Sequence, residues 1–151
     1  MAGLANIVGR AVVAGVAGSV VMTVFQKLIE MPLTGRKESN APAKLAEKIL
    51  PVKPQNEEQE RRLNYITHFT LGATWGIAYG LAAYKGLRGR RAITWVFPAI
   101  YVQDVTTITA LGLDKPWKWT RKEAAIDIVD KLVQVVATSF IFDRFLDPKR
   151  R

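Results

Sequence analysis

The amino-acid sequence predicts an all-α fold, a polytopic membrane bundle of four transmembrane helices with a short interfacial helix in the first loop. Three observations predict this fold. Apolar residues gather into four blocks, most of the 22 Lys and Arg residues lie between the blocks, and residues 63–84 contain no charged side chain. Because a helix needs roughly 20 mostly apolar residues to cross a bilayer, a single domain of 151 residues allows about four such helices.

The first predicted helix covers residues 4–30 and has an uninterrupted apolar stretch behind Arg10. A secretory signal peptide is the competing interpretation, but the residues that follow Phe25 offer no small-residue cleavage site. Gly15 and Gly18 belong to rows of small residues along this helix. Such rows allow helices to approach closely in a membrane, so we expect this helix to pack against a glycine face of the second one.

Residues 31–62 are predicted to form a polar loop, because four prolines and many charged residues interrupt this segment. Within it, residues 39–42 have the composition of a helix start. Residues 43–50 then place Leu45 and Ile49 near one side of a helix. We therefore expect a short helix that lies in the membrane interface.

The second predicted helix, residues 63–84, carries Gly72, Gly76 and Gly80 on one side. His68 lies on the same row, so we expect it to face another helix. An unperturbed histidine titrates near neutral pH and can carry a proton, although a buried histidine with a structural hydrogen bond is the commoner case. The chain has one histidine and no cysteine, so the sequence predicts no metal site within one chain, and a metal or haem at His68 would need further ligands from an oligomer.

The third predicted helix, residues 92–111, contains Asp104 near its middle. An aspartate at the centre of a membrane helix costs about 2.5–3.5 kcal/mol on insertion scales, so such residues usually face the interior of the bundle. Two interpretations stay open. Asp104 handles protons or ions, or it is satisfied structurally by neighbouring threonines or by His68.

The fourth predicted helix, residues 122–146, is the least apolar of the four. Asp127, Lys131 and Gln134 recur on one face of this helix, and Asp130 lies beside them. Lipid cannot satisfy these groups, so this face should turn inward or line a wet cavity. Asp127 and Lys131 have the spacing of an ion pair on a helix.

Two short motifs carry a family resemblance, a turn motif after the first helix and a histidine motif in the second. Their residues are Glu30, Pro32, Leu33 and Arg36, and then Thr67, His68 and Tyr79. In these motifs and in its layout, the chain resembles the YagU-like inner-membrane proteins of bacteria. The resemblance implies a multi-pass protein of the bacterial cytoplasmic membrane without established enzymatic activity, a link to acid tolerance, and family use of Glu30, Pro32, Arg36 and His68. Independently of the resemblance, Glu30 and Arg36 flank a turn and are expected to pair with each other or with lipid headgroups.

Charge and composition indicate which classes of partner and activity to expect. The net charge of +9 comes from basic residues that flank apolar blocks, where they meet anionic lipid headgroups, so we expect a membrane surface rather than nucleic acid as the partner. The sequence contains no phosphate-binding glycine loop, nucleophile elbow or paired metal ligands. It therefore predicts neither an enzyme nor a cofactor.

Two functions remain open at this stage. In the first, the chain is a structural or accessory membrane component that acts as a homo-oligomer or as a subunit of a larger complex. In the second, it conducts protons or small ions through a polar interior that contains His68, Asp104, Asp127, Asp130 and Lys131. The sequence favours the first function, because 151 residues rarely form a complete transport path within one subunit.

Overall fold

The computed structural model describes residues 3–147 and contains no β-strand in that range, so the prediction of an all-helical fold is confirmed. Five helices within these residues are labelled α1 to α5. Their bounds are Leu4–Phe25 for α1, Ala41–Ile49 for α2, Glu57–Tyr84 for α3, Gly89–Ala110 for α4 and Arg121–Ile141 for α5.

The first helix is longer than predicted, and the polar loop is correspondingly shorter than residues 31–62. From Phe25, α1 continues through a π-helical turn, Gln26–Glu30, and a further helical turn, Met31–Thr34. Gly35 then ends the helix in the left-handed conformation, with φ of 72°, which glycine adopts without a steric penalty. The prolines that indicated a loop did not end this helix, because Pro32 occupies the first turn of its last segment.

The remaining helix ends follow capping groups rather than the limits of the apolar blocks. α3 begins at Glu57 instead of residue 63, because the Asn56 side chain accepts a hydrogen bond from the Gln59 N–H and three glutamates lie in the first turn. α4 covers Gly89–Ala110 rather than residues 92–111. α5 starts behind a capping box of Thr120 and Glu123, and a π-helical turn, Phe142–Leu146, follows its end.

α1 packs against both α3 and α5, while α4 packs against α5 and α3 and α2 packs on α3. The contact between α1 and α3 is very close. A Cβ atom added to Gly15 would lie 2.1 Å from the carbonyl oxygen of Gly72 and 2.7 Å from the Cα of Gly76. Gly80 similarly faces α1, whereas Gly18 faces α5 instead of α3.

α1 and α5 bury several small and polar side chains and expose many large apolar ones. On α5, Asp130 is 3% exposed and Gln134 is 4% exposed, whereas Phe140 is 60% exposed. On α1, Ser19 is buried while Leu28 is 72% exposed. Further exposed apolar residues of these two helices are Val13, Val16, Val20, Val21, Val24, Ile128, Val129, Leu132 and Val136. This polarity is the reverse of that of a helix in a water-soluble protein, whose apolar stripe faces the core.

Among the described residues, one helix, Leu4–Thr34, is long and apolar enough to span a membrane by length and composition. Its 18-residue window has a mean hydropathy of 1.9. The other long helices are more polar, because α3 begins with charged turns and α5 contains Asp127, Asp130 and Lys131. For those helices, a membrane span stays a prediction.

Candidate functional site

A cavity of about 360 Å³, with both apolar and charged side chains in its lining, lies between the four long helices and opens toward the α1–α2 and α4–α5 connections. All six polar residues that the sequence singled out line this cavity. They are His68, Asp104, Asp127, Asp130, Lys131 and Gln134. Exposed Glu38 and Asp114 lie at its mouth, and buried Trp75 and Gln134 form its floor. Along α5 the lining runs from Glu123 to Gln134, which is about 16 Å at a rise of about 1.5 Å per residue.

One charged group in the cavity is centred on Lys131, and we call it the Lys131 cluster. The Lys131 Nζ lies 2.6 Å from the Oδ2 of Asp104 and 2.8 Å from the Oδ2 of Asp127. Its ammonium also lies over the ring of Tyr101, 5.1 Å from the ring centroid. Asp104 is thus paired with a lysine of α5, instead of with the threonines or the histidine considered from the sequence. Because two carboxylates share one ammonium, the cluster has a formal charge of −1 when all three groups are ionised.

A second charged group, the Arg36 cluster, joins the end of the first helix to α5. The Arg36 Nη2 lies 2.7 Å from the Oε2 of Glu30 and 2.6 Å from the Oδ2 of Asp130. The expected pair of Glu30 and Arg36 is therefore present, and the buried Asp130 is a third member that the sequence did not indicate. Burial disfavours the charge of Arg36, but its hydrogen bonds to Glu30 and the attraction of Asp130 outweigh burial and raise the pKa of Arg36.

The π-helical turn Gln26–Glu30 positions the acids of the Arg36 cluster. A π-helical turn places successive side chains differently from an α-helix and often occurs at functional sites. Here it turns Glu30 toward Arg36 and lets the Gln26 Nε2 donate a hydrogen bond of 2.7 Å to the Oδ2 of Asp130. Within residues 3–147, the buried Oδ1 of Asp130 has no hydrogen-bond partner. With both acids ionised, this cluster also has a formal charge of −1.

His68 lies in the same cavity but is separate from both clusters. Its Nε2 is 3.2 Å from the Oγ1 of Thr23, and the Thr23 hydroxyl donates to the carbonyl oxygen of Ser19. Because that hydroxyl hydrogen is already used, we assign the Nε2–H tautomer to His68, with the imidazole as donor. On the cavity floor, the Gln134 Nε2 donates to the Ser19 Oγ at 2.8 Å. The fourth family-motif residue, Pro32, is exposed and does not line the cavity.

The opposite end of the bundle is held by a polar group that the sequence analysis missed. The Tyr79 hydroxyl donates to Asp143 and accepts a hydrogen bond of 2.8 Å from Ser139. The backbone N–H of Gly89 donates to the Oδ2 of Asp143 at 2.9 Å. Asp143 belongs to the π-helical turn that follows α5. In the sequence, Tyr79 stands out only through the family resemblance. It is 64 positions from Asp143, so no helical spacing predicts their contact.

Arg88 completes this second end of the bundle. Its guanidinium is 3.1 Å from the Oδ1 of Asp143 and also pairs with Asp147. Arg10, on α1, lies 3.0 Å from the other carboxylate oxygen of Asp147. Burial lowers the pKa of Arg88, but the hydrogen bond to Asp147 and the attraction of both carboxylates raise it by a larger amount. The pKa of Arg88 is therefore above its ordinary value. Charged residues from α1, from the α3–α4 connection and from the segment after α5 therefore close the end that lies away from the cavity.

We expect Arg88→Gln to destabilise the protein by about 1.5–3 kcal/mol, because hydrogen bonds to charged groups contribute about that much and two partly buried acids lose their partner. The measurement is unfolding of the purified protein by sodium dodecyl sulfate, followed by tryptophan fluorescence. Arg91→Gln is the matched control, since Arg91 is an exposed arginine three positions further along, in the first turn of α4. Equal losses in both variants would show that the Arg88 contacts contribute nothing specific.

The described residues do not form a metal site, because no group of three or more His, Asp or Glu side chains among them could hold an ion. No protein-family model, curated protein or solved structure matches this chain. The resemblance to the YagU-like proteins therefore stays a prediction, and function has to be argued from the cavity itself.

Proposed function

We propose that the four long helices span a membrane and that the cavity gives protons or small cations access to the interior from one side. The resemblance to the YagU-like proteins adds the bacterial cytoplasmic membrane to this proposal. The cavity is the observation that carries it, because it joins all six intramembrane polar residues in one space.

The reversed polarity of α1 and α5 supports a membrane location. Large apolar side chains on the outside of a bundle are satisfied by lipid, whereas buried carboxylates and amides find partners only inside. Only 39% of the apolar window of Leu4–Thr34 is buried, although the core helix of a water-soluble protein would be mostly buried. A cleaved signal sequence also fits poorly, because α1 packs along both α3 and α5.

The charge balance of the cavity supports cations as the species handled. Among the described lining residues, six side chains are acidic and four are basic, an excess of two negative charges in a chain with a net charge of +9. The Lys131 cluster holds one of the two, and the Arg36 cluster adds a further negative charge through Glu30, which lies just outside the lining. An uncompensated charge in a poorly hydrated interior is costly, so both clusters favour uptake of a proton or another cation.

The test is flux of protons and alkali cations into proteoliposomes across a pH range. We expect Asp104→Asn to lower the flux at least tenfold, because it removes the excess charge of the Lys131 cluster while Asp127 still pairs with Lys131. His68→Ala is measured alongside it, to learn whether the imidazole takes part. Glu47→Gln is the matched control, since Glu47 is exposed on α2 and outside the cavity. Flux that is unchanged by Asp104→Asn would contradict the proposal.

A second candidate function is the structural or accessory role, as a homo-oligomer or as a subunit of a membrane complex. It is favoured by the closed end of the bundle, where Arg88, Asp143 and Tyr79 are paired and the glycine contacts of α1 with α3 leave no space for a Cβ atom. No flux above that of empty liposomes, from protein shown to be folded, would support this role over conduction.

A further inference from the structure

We propose that a proton taken up by the cavity binds to Asp130, on the carboxylate oxygen Oδ1, before it binds to any other acid of the interior. This inference rests on the proposed function, because it names the proton as the cation and one carboxylate as its binding site. It is carried by the hydrogen bonds of Asp130, by the burial of its Oδ1 and by the pairing of the other acids.

The first observation concerns the two carboxylate oxygens of Asp130, whose surroundings differ. The Oδ2 accepts hydrogen bonds from the Gln26 Nε2 at 2.7 Å and from the Arg36 Nη2 at 2.6 Å. The Oδ1 is buried and has no partner among residues 3–147. An added proton on Oδ2 would compete with the hydrogen atoms of both donors, whereas on Oδ1 it would meet no donor. Oδ1 is therefore the oxygen on which a proton is better placed.

The second observation is that Oδ1 is closed to ligands larger than a proton. Asp130 borders the cavity, but this oxygen is out of reach of a water molecule. A buried carboxylate oxygen without a donor is unfavourable, and it costs more when the group is charged than when it is neutral. A proton needs no space. Because the carboxyl torsion of aspartate has two-fold symmetry, a half-turn of the group carries a proton from Oδ2 to the closed position.

The third observation is that Glu30, the other acid of the Arg36 cluster, is fully paired when it is ionised. Its Oε1 accepts hydrogen bonds from the Thr34 hydroxyl and the Arg36 Nε, and its Oε2 accepts one from the Arg36 Nη2 at 2.7 Å. One proton on Asp130 brings the formal charge of this cluster from −1 to zero. The ion pair of Glu30 and Arg36 is kept in that state.

The acids of the Lys131 cluster are also better satisfied than Asp130. Asp104 and Asp127 each lie within 2.8 Å of the Lys131 ammonium, and their side chains are 20% and 27% exposed, against 5% for Asp130. His68, on α3, is the remaining titratable group of the interior and the rival site for a proton. Toward the mouth, the charged residues of the lining are the exposed Lys27, Lys37, Glu38, Asp114 and Glu123.

The experiment is infrared difference spectroscopy of the reconstituted protein between neutral and acidic pH. A protonated carboxylic acid has a carbonyl stretching band that a carboxylate lacks, and isotope labelling of the aspartate carboxyl carbons shifts this band for aspartates alone. As the pH falls, we expect the first such band to shift with the label and to be absent in Asp130→Asn. A first band that is unchanged in Asp130→Asn would overturn the proposal.

Three further variants locate the proton. Asp104→Asn, His68→Ala and Glu47→Gln, the last outside the cavity, should all keep the first band. Loss of this band in Asp104→Asn but not in Asp130→Asn would contradict a site on Asp130. So would proton uptake that is lost in His68→Ala and precedes the appearance of any carboxylic-acid band.

Hydrogen–deuterium exchange tests the closed position in the unaltered chain and serves if Asp130→Asn does not fold. Because Oδ1 is out of reach of water, its aspartate band should shift in deuterated buffer more slowly than the bands of exposed acids. A first aspartate band that exchanges as fast as those of the exposed acids would contradict a proton on Oδ1.

The outcome is separable from that of the flux experiment. Proton flux that requires Asp104, together with a first band that survives in Asp130→Asn, would overturn the Asp130 site and leave the proposed function standing. A first band that requires Asp130, without flux above that of empty liposomes, would support the proton site and overturn conduction. Absence of both would overturn both.

Discussion

Replacing Arg36 by methionine is expected to destabilise the protein by about 3–5 kcal/mol at neutral pH, the usual loss when one partner of a buried ion pair is removed. The reason is that Glu30 and Asp130, which are 5% and 3% exposed, would both lose the guanidinium that neutralises them. Methionine keeps much of the apolar stem, so the loss reports on charge rather than on volume. The measurement is the free energy of unfolding in sodium dodecyl sulfate.

Two further variants make the Arg36 result specific. Lys37→Met removes the neighbouring exposed charge and should change stability by less than about 0.5 kcal/mol. Arg36→Lys keeps the charge but not the paired hydrogen bonds and should fall between the two. The deficit of Arg36→Met should shrink as the pH falls, because the two carboxylates can then take up protons. A deficit of the same size in Lys37→Met would show that the Arg36 cluster is not a stabilising contact.

Gly15→Ala is expected to lower stability by about 3 kcal/mol, the upper end of the usual cost of overpacking a core. The added methyl group would meet the backbone of α3, at 2.1 Å from the Gly72 oxygen and 2.7 Å from the Gly76 Cα. Backbone atoms cannot move aside as a flexible side chain can, so the two helices would have to separate. Thermal unfolding followed by circular dichroism measures this loss.

Gly9→Ala is the matched control for this substitution. Gly9 lies on the same helix, and a Cβ atom there would have no neighbour within 4 Å. Since alanine favours the helix over glycine by up to about 1 kcal/mol, Gly9→Ala should be neutral or slightly stabilising. Equal stability of the two alanine variants would contradict the close contact between α1 and α3.

Features that depend on one helix alone could be predicted from the sequence. The helical fold followed from the apolar blocks, and the inward face of α5 followed from the spacing of Asp127, Lys131 and Gln134. The helix ends were predicted less well, because hydropathy marks an apolar block, whereas α3 starts at the Asn56 cap inside a charged segment. A charged segment beside an apolar block has the composition of a loop, but it forms the first turn of the helix when an N-capping residue precedes it.

Pairing between helices could not be predicted, because it depends on how each helix is rotated and shifted against its neighbours. Asp104 meets Lys131 only through the register of α4 against α5. Arg36 and Asp130 are separated by 94 positions, and the π-helical turn that brings Gln26 and Glu30 to them has no signature in the composition. The cavity forms only when the helices pack in this register. The sequence could therefore indicate which residues line the cavity, but it could not indicate which of them form pairs.

α5 packs against α1 and α4, which both precede it in the sequence, and this order has a consequence for how the protein is made. In the proposed membrane protein, α1 is synthesised before the other long helices and is apolar enough to span the bilayer, with a mean hydropathy of 1.9 over its window. α5, which carries Asp130 and Lys131, emerges last of the long helices, when Arg36 and Asp104 have already been synthesised. When α5 is synthesised, the residues that pair with its buried charges are thus already present, and the helices can assemble in the order of the sequence.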